Sequence, residues 1–312
     1  MPRLSVHLFG RFQALYDELA LESILHGKAQ ELFCYLLLCR DKPHSRDQLA
    51  TLFWGDCTTA QSRKNLRQAL WQLQAGLNSK HIRPDCLIVE TEWIQLNSHA
   101  DLWLDVAAFE QAYVDAEGVS GYQLTCENGV ALEEAASLYK SDLLPGNYQD
   151  WCVFERERLQ NVYISMLDKL MCYCEANSEY EKAITHGTRI LSLDCAREQT
   201  HRRIMRLHYL SGDRTAALRQ FERCAATLDL ELGVKPETKT LSLYESIRKD
   251  LLDEVVLASK TSGAPSLPPT SISAAIIGLR QLRTALYDIE RLLINVTQSS
   301  EKEKPPISSR LR

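Results

Sequence analysis

The sequence lacks the short motifs on which most enzyme classes depend. It contains no Gly-rich phosphate loop, no Gly-x-Ser-x-Gly segment, no His-Glu-x-x-His segment and no recognisable pair of acid and base. These absences argue against nucleotide-dependent, hydrolytic and metalloprotease chemistry. We therefore expect a protein that is not an enzyme and that needs no cofactor.

Long apolar runs and an export signal are also absent. The longest apolar stretch, residues 32–39, is far shorter than the roughly 20 residues that a membrane-spanning helix needs. The first twelve residues show no apolar segment followed by a small-residue cleavage site. We expect a soluble, cytoplasmic protein that makes no membrane contact.

The ten cysteines show no Cys-x-x-Cys spacing, and the expected reducing surroundings disfavour a disulfide framework. Cys172 and Cys174 are close in sequence but fall in a helical pattern, where buried free cysteine is common. A metal site at this pair is the alternative. We expect no metal.

Acidic residues are missing from residues 57–84, although the chain has 36 Lys and Arg against 41 Asp and Glu and a formal net charge of −5. Residues 1–100 carry 11 bases and 10 acids, whereas the remaining 212 residues carry 25 and 31. A local basic stretch in an acidic chain predicts a local anionic partner. The bases in the acid-free stretch are Arg63, Lys64, Arg67, Lys80 and Arg83.

Residues 60–77 combine this basic stretch with the period of an α-helix. An apolar stripe, which predicts the core face, consists of Leu66, Leu70, Leu73 and Leu77. The opposite side carries amide, basic and aromatic side chains without an acid. Its residues are Gln61, Lys64, Gln68 and Trp71, with Arg63 and Arg67 on the flank. A face that is merely solvated is the alternative.

The segments around this helix predict a winged helix-turn-helix. Residues 3–24 alternate as short strands, 28–40 form a buried helix, and 86–90 and 93–97 form a hairpin joined by Thr91 and Glu92. In a winged helix with this order, the third helix enters the major groove and the hairpin touches the adjacent backbone.

The second helix of this unit is predicted over residues 46–54. Ser45 and Gln48 have the spacing of a capping box, and Gly55 ends the helix. Three residues are expected to face inward: Leu49, Leu52 and Phe53.

Residues after 100 are mainly helical by pattern, with helices predicted over 105–117, 127–144 and 150–176. Ala183 aligns with Ala217 and Ile184 with Leu218, a spacing of 34 residues. This spacing is the period of tetratricopeptide repeats, although a chance match is the alternative. The predicted fold is mostly α with a small β component, a winged helix followed by a tetratricopeptide-like helical domain.

The chain divides into five predicted segments. They are a winged-helix domain (1–100), a helical repeat domain (101–252), a Ser/Pro/Gly-rich linker (253–271), an amphipathic helix (272–298) and a disordered tail (299–312). Within 272–298, heptad spacing predicts self-association, with docking on the helical domain as the alternative. The seam includes Leu279, Leu282, Leu286, Ile289 and Leu293.

Seven segments between Leu4 and Ile247 resemble, in order, the SARP-type bacterial transcriptional activators. These activators join an OmpR-like winged helix to a bacterial transcriptional activator domain. The segments are LSVHLFGRFQ, AQELFCYLLL, SRDQLATLFW, SRKNLRQALWQLQ, LYKSDLLPG, the block from REQTHRRIM to ELGVKPET, and LYESI. The chain departs from the family pattern at Gln72, Gln74, Ser141 and Cys195, and it resembles the short form without an ATPase.

The resemblance implies a DNA-binding activator that occupies direct repeats upstream of promoters and helps RNA polymerase engage. On the residues alone, Lys64 faces the groove, Arg67 suits guanine, Gln68 suits adenine, and Trp71 suits a thymine methyl or a sugar. Arg46 and Arg63 suit phosphates. The wing tip is a poor phosphate ligand, so Lys80 and Arg83 are expected to bind phosphates in its place.

Each of these assignments has an alternative. Trp71 is alternatively a residue at the edge of the core, Arg67 a partner in a salt bridge, and Arg46 a structural residue at a helix start. The chain as a whole is alternatively an interaction adaptor whose winged helix binds protein. The helical domain is expected to hold a second copy of the chain, a polymerase subunit or another protein, or a small ligand.

Overall fold

The computed structural model describes residues 4–16, 19–20, 26–77 and 86–251. The chain forms two compact units, residues 1–251 and residues 252–312, within each of which the Cα atoms contact one another. Almost all of the predicted linker, the C-terminal helix and the tail therefore lie outside the described residues. Self-association through the heptad seam at Leu279, Leu282, Leu286, Ile289 and Leu293 stays a prediction, as does the domain boundary at residue 100.

The chain begins with a four-stranded sheet. The predicted N-terminal strands are confirmed as β1 (Leu4–His7), β2 (Gln13–Tyr16) and β3 (Leu19–Ala20), which pair antiparallel. A later strand, Leu102–Leu104, pairs parallel with β1 and closes the sheet. This strand was not predicted, because three residues are too few to show alternation.

The winged helix-turn-helix follows, as predicted. Its elements are α1 (Gly27–Leu38), β4 (His44–Ser45), α2 (Arg46–Trp54), α3 (Thr59–Leu77), β5 (Leu87–Val89) and β6 (Trp93–Leu96); β7 is the strand at Leu102–Leu104. The three helices place an apolar face against one another and against the hairpin, and the small sheet has the strand order β4-β6-β5.

Two details of α2 differ from expectation. Ser45 precedes the helix, but its side chain makes no capping hydrogen bond, so the predicted capping box is wrong. The backbone N–H of Arg46, the first residue of the helix, donates to the Glu92 carbonyl of the hairpin at 2.9 Å. Leu52 was expected inward but is exposed, and Ala50 is buried in the small core instead.

The rest of the described chain is a stack of helices. The predicted helix over 127–144 is too long, because it ends at Leu138; Leu143 instead forms backbone bridges to Phe9 and Gly10 at the end of β1. The helices are α4 (Asp105–Asp115), α5 (Cys126–Leu138), α6 (Asp150–Ala176), α7 (Tyr180–Leu193), α8 (Glu198–Leu210), α9 (Arg214–Leu232) and α10 (Thr238–Lys249), with a 3-10 turn at Gly121–Gln123.

The helical stack is tetratricopeptide-like. Helices α7 and α9 begin 34 residues apart, and the aligned Ala183 and Ala217 are both fully buried. Gly187 lets α7 approach α8 closely, since a Cβ at this position would lie 2.8 Å from a side-chain carbon of Ile204. Small residues at these positions allow the helices to pack tightly.

Two hydrophobic cores hold the described residues together. The smaller core joins α1, α2, α3 and β6, and the larger one runs from β1 through the other face of α1 to α8. Trp151 at the start of α6 packs against Tyr35 and Phe53 of the winged helix, with ring centroids 5.5 and 6.2 Å apart. The winged helix and the helical stack therefore share packed side chains.

Candidate nucleic-acid interface

Helix α3 has the two faces that its sequence predicts. Leu66, Leu70, Leu73 and Leu77 are all buried to within 3% of full burial. Leu66 and Leu70 pack in the smaller core, and Leu73 and Leu77 in the larger one. The apolar stripe anchors the helix at both ends, so that its opposite face is held in a fixed position.

The opposite face of α3 is open to solvent. Gln61, Lys64, Gln68 and Trp71 are all exposed, and the indole of Trp71 is 69% exposed. The alternative that Trp71 belongs to the edge of the core is therefore wrong. An exposed tryptophan on a basic helix face offers a flat apolar surface to a partner.

The cations of α3 differ in how they are held. Lys64 and Arg67 are exposed, and neither makes an ion pair with any residue that the structure describes. The alternative that Arg67 forms an intramolecular salt bridge finds no support within those ranges. No described acid therefore occupies either side chain, and both can donate hydrogen bonds to an acceptor other than the described residues.

Arg63 is held by an acid from the preceding helix. Its Nε and Nη2 donate to the two carboxylate oxygens of Asp47, each at 2.8 Å. These hydrogen bonds lower the pKa of the Asp47 carboxyl below its usual range. The pair occupies the Nε edge of the guanidinium and leaves the Nη1 edge for a second acceptor. In the folded chain, the carboxylate of Asp47 therefore lies beside a residue of the stretch 57–84, which has no acid of its own.

Arg46 connects the start of α2 to the hairpin. Its Nη1 donates to the Glu90 carbonyl at 3.0 Å, and its backbone N–H donates to the Glu92 carbonyl. This geometry fits the alternative of a structural residue at a helix start. Arg46 and Arg63 line the same cavity between α2, α3 and the hairpin.

The hairpin forms a short, acidic wing. Glu90 and Trp93 flank the predicted two-residue connection, with the Glu90 N–H donating to the Trp93 carbonyl at 2.8 Å. Thr91 and Glu92 occupy the tip. Among the residues resolved here, this wing offers no cation to a phosphate.

A cavity of about 660 Å³ lies between α2, α3 and the wing. Two of the residues lining it, Asp47 and Trp93, were not predicted as part of the site. Trp93 is 44% exposed and occupies an outward position next to the buried Ile94, so the alternation of the strand was an available signal. Asp47 gave no sequence signal, because its importance depends on the approach of α2 to Arg63.

Several predicted residues lie elsewhere. Lys80 and Arg83 fall outside the described residues. Cys174 is buried, and the Sγ of Cys172 accepts a hydrogen bond from Arg203 at 3.0 Å. Within the described ranges, no group of three or more His, Cys, Asp or Glu side chains could hold a metal ion.

The helical stack presents a different chemistry. Six of the eleven arginines in residues 101–251 pair with acids, as in Arg197 with Asp168 at 2.5 Å and Arg202 with Glu237 at 3.0 Å. In the part of the chain that the structure describes, no helix is long and apolar enough to cross a membrane. Lys64 and Arg67 of α3 differ from these paired arginines, because neither has an ion-pair partner among the described residues.

Comparison with known families identifies the helical part. Residues 104–248 match the family described as the bacterial transcriptional activator domain. Together with the winged helix that precedes it, this match confirms the resemblance to the SARP-type bacterial transcriptional activators that the sequence shows.

The fold is also similar to that of a solved protein, Mycobacterium tuberculosis EmbR in complex with a low affinity phosphopeptide. The TM-score is 0.64 and the sequence identity 18%, over 80% of this chain and 66% of that chain. At this identity the likeness concerns the fold alone. The chain spans slightly less than two thirds of the EmbR chain. No curated protein matches the sequence.

Proposed function

We propose that the protein is a sequence-specific DNA-binding regulator in the cytoplasm that activates transcription. In this proposal it occupies direct repeats near promoters and assists RNA polymerase, and it carries out no enzymatic reaction. The observation that carries the proposal is the exposed face of α3, on which Lys64 and Arg67 lack an ion-pair partner among the described residues.

Residues in the middle of α3 contact the bases in this proposal. Arg67 offers a guanidinium fork to guanine O6 and N7, and Gln68 offers an amide to adenine N6 and N7. The exposed Trp71 covers a thymine methyl or a sugar. Lys64, one turn before Gln68 on the same face, contributes positive charge in the groove.

Phosphate contacts fix the register of the protein on the duplex. Arg63 retains its Nη1 edge for a phosphate, and Arg46 retains the N–H groups that Glu90 does not use. Lys80 and Arg83 remain part of the proposal as phosphate ligands. The acidic wing tip makes these cations necessary, since Glu92 repels the duplex backbone.

The helical stack is proposed to hold protein partners, including RNA polymerase and a second copy of the chain. Six of its eleven described arginines pair with acids, and residues 101–312 carry 31 acids against 25 bases, which disfavours DNA binding on that surface. Two protomers bound to a direct repeat would place their stacks side by side along the duplex.

The test is selection of binding sites from a pool of random duplex DNA at two salt concentrations. We expect an enriched repeated motif and binding that weakens steeply with salt. Changing Lys64 and Arg67 to alanine should abolish enrichment. The matched control is Arg219→Ala with Lys239→Ala, which removes two exposed cations from the helical stack.

An adaptor that uses its winged helix to bind protein is the second candidate, favoured by the acidic wing and by Trp93. If the protein is such an adaptor, it should retain no duplex DNA at either salt concentration. The proposed interface would also be contradicted if the control double variant lost as much DNA binding as the α3 double variant.

A further inference from the structure

A second cavity, of about 630 Å³, lies away from the α3 face, between the winged helix and the helical stack. It is lined by the β1–β2 turn, by one side of α1 and by residues 144–149, the segment that precedes α6. None of its lining residues belongs to the proposed DNA interface. We propose that this junction cavity binds a small organic acid with an aromatic or apolar body.

The wall formed by residues 144–149 is held rigidly. Arg156 donates hydrogen bonds to two of its backbone carbonyls, those of Leu144 and Asn147, and to the carbonyl of Leu143 just before it, at 2.9–3.0 Å. The Leu144 N–H donates to the Leu8 carbonyl at 3.0 Å, which ties the segment to the end of β1. A wall fixed in this way costs little further ordering when a ligand binds.

The charge in the junction cavity favours an anion. Arg11 in the β1–β2 turn is exposed and makes no ion pair with a residue in the described ranges. Glu31, the acid on the facing side of α1, is already paired with Lys28 at 2.7 Å. Among the described residues that line the cavity, the guanidinium of Arg11 is therefore the charge without an ion-pair partner, and its fork suits a carboxylate.

The floor of the cavity is apolar. Phe12, Cys34 and Leu144 are each at least nine-tenths buried and line it from below. Burial raises the pKa of the Cys34 thiol well above its ordinary value, so that the floor stays uncharged. An apolar body would displace water from this floor at little polar cost.

The rim supplies an aromatic side chain and amides. Tyr148 is 83% exposed and has no ring contact with a described residue. Gln30, Asn147 and Gln149 lie around the same opening. Cavities of 300–1,000 Å³ with an apolar floor and a few convergent polar groups are typical of small-molecule sites. Because both parts of the fold line the cavity, its ligand would contact both.

The probe for this site is 3-phenylpropionate, with the neutral 3-phenylpropionamide as its matched analogue. Binding to the full chain is measured by ligand-observed NMR titration in the absence of DNA. A fragment of this size is expected to bind with a dissociation constant of about 1 mM. The amide should bind at least about tenfold more weakly, since it lacks the charge that Arg11 recognises.

Variants at exposed positions separate the site from the fold. Arg11→Gln should weaken binding at least about tenfold and Arg11→Lys much less, whereas Lys140→Gln, at an exposed cation outside the cavity, should leave it unchanged. Tyr148→Ala should weaken binding and Tyr148→Phe should retain it. No saturable binding up to about 20 mM, equal binding of acid and amide, or indifference to Arg11→Gln would each overturn the proposal. The outcome does not depend on the proposed DNA binding.

Discussion

The guanidinium of Arg63 lies side-on against the carboxylate of Asp47, with two hydrogen bonds of 2.8 Å joining α3 to the first turn of α2. Both side chains are exposed, so the pair contributes little to stability. Its effect is on orientation. A guanidinium held along one edge presents its other edge in a defined direction, which a freely rotating arginine does not.

Asp47→Ala should increase binding to unrelated duplex DNA and reduce the preference for the selected repeat. The change removes a negative charge beside the phosphates and frees Arg63, so the plot of log K against log salt should steepen by about 0.9. Fluorescence anisotropy on the selected and a scrambled duplex measures both effects. Glu222→Ala, at an exposed acid of α9, is the control; equal behaviour of the two variants would contradict this role of Asp47.

Glu92→Lys should strengthen DNA binding uniformly across sequences. The wing tip is acidic, and one added cation facing the backbone corresponds to about one further phosphate contact, or about 0.9 in the salt slope. The same duplexes and the same anisotropy titration apply. Glu92→Gln should give a smaller increase. An unchanged slope for the lysine variant would show that the wing tip lies away from the duplex.

Arg156→Ala should destabilise the fold by about 2–4 kcal/mol, because three buried or half-buried carbonyls lose a charged donor. Urea unfolding followed by circular dichroism measures the change. Arg156→Lys should fall between the wild type and the alanine variant. Arg219→Ala, at an exposed arginine of α9, should stay within about 0.5 kcal/mol of the wild type. A loss below about 1 kcal/mol for Arg156→Ala would mean that the segment is held by other contacts.

The sequence predicts those features that depend on local periodicity. The bounds of α2 and α6 match the expected ranges, and the two faces of α3 follow from the spacing of its leucines. The winged helix and the repeat spacing follow from the order of such elements.

Features that depend on distant backbone pairing could not be predicted. Leu143 leaves the helical pattern because it pairs with the backbone just after β1, and the Arg46 N–H at the start of α2 pairs with the Glu92 carbonyl of the hairpin. The Asp47–Arg63 ion pair also depends on residues that are distant in sequence, so it could not be predicted. The residues are 16 positions apart, and only the packing of α2 on α3 brings them together.

His201 predicts how stability depends on pH. The imidazole is almost fully buried; Gln220 donates to its Nδ1 at 2.8 Å, and its Nε2 lies 2.9 Å from the Cys195 carbonyl. This arrangement satisfies the neutral ring, with the proton on Nε2. Burial lowers the pKa of His201, against the opposing effect of the Cys195 carbonyl. The folded chain therefore takes up this proton less readily than the unfolded chain.

The stabilisation from neutral His201 is fully present above the unfolded pKa of about 6.5 and is lost as pH falls from there towards the lower folded pKa. The loss is at most about 1.4 kcal/mol per pH unit for one group. His201→Gln should be less stable at pH 7.5 but lose stability less steeply down to pH 5, measured by urea unfolding at each pH. His99→Gln, at an exposed histidine, should keep the wild-type slope. Burial also lowers the pKa of His186 and His208, so part of the slope should persist in His201→Gln; parallel curves for that variant and the wild type would contradict the assignment.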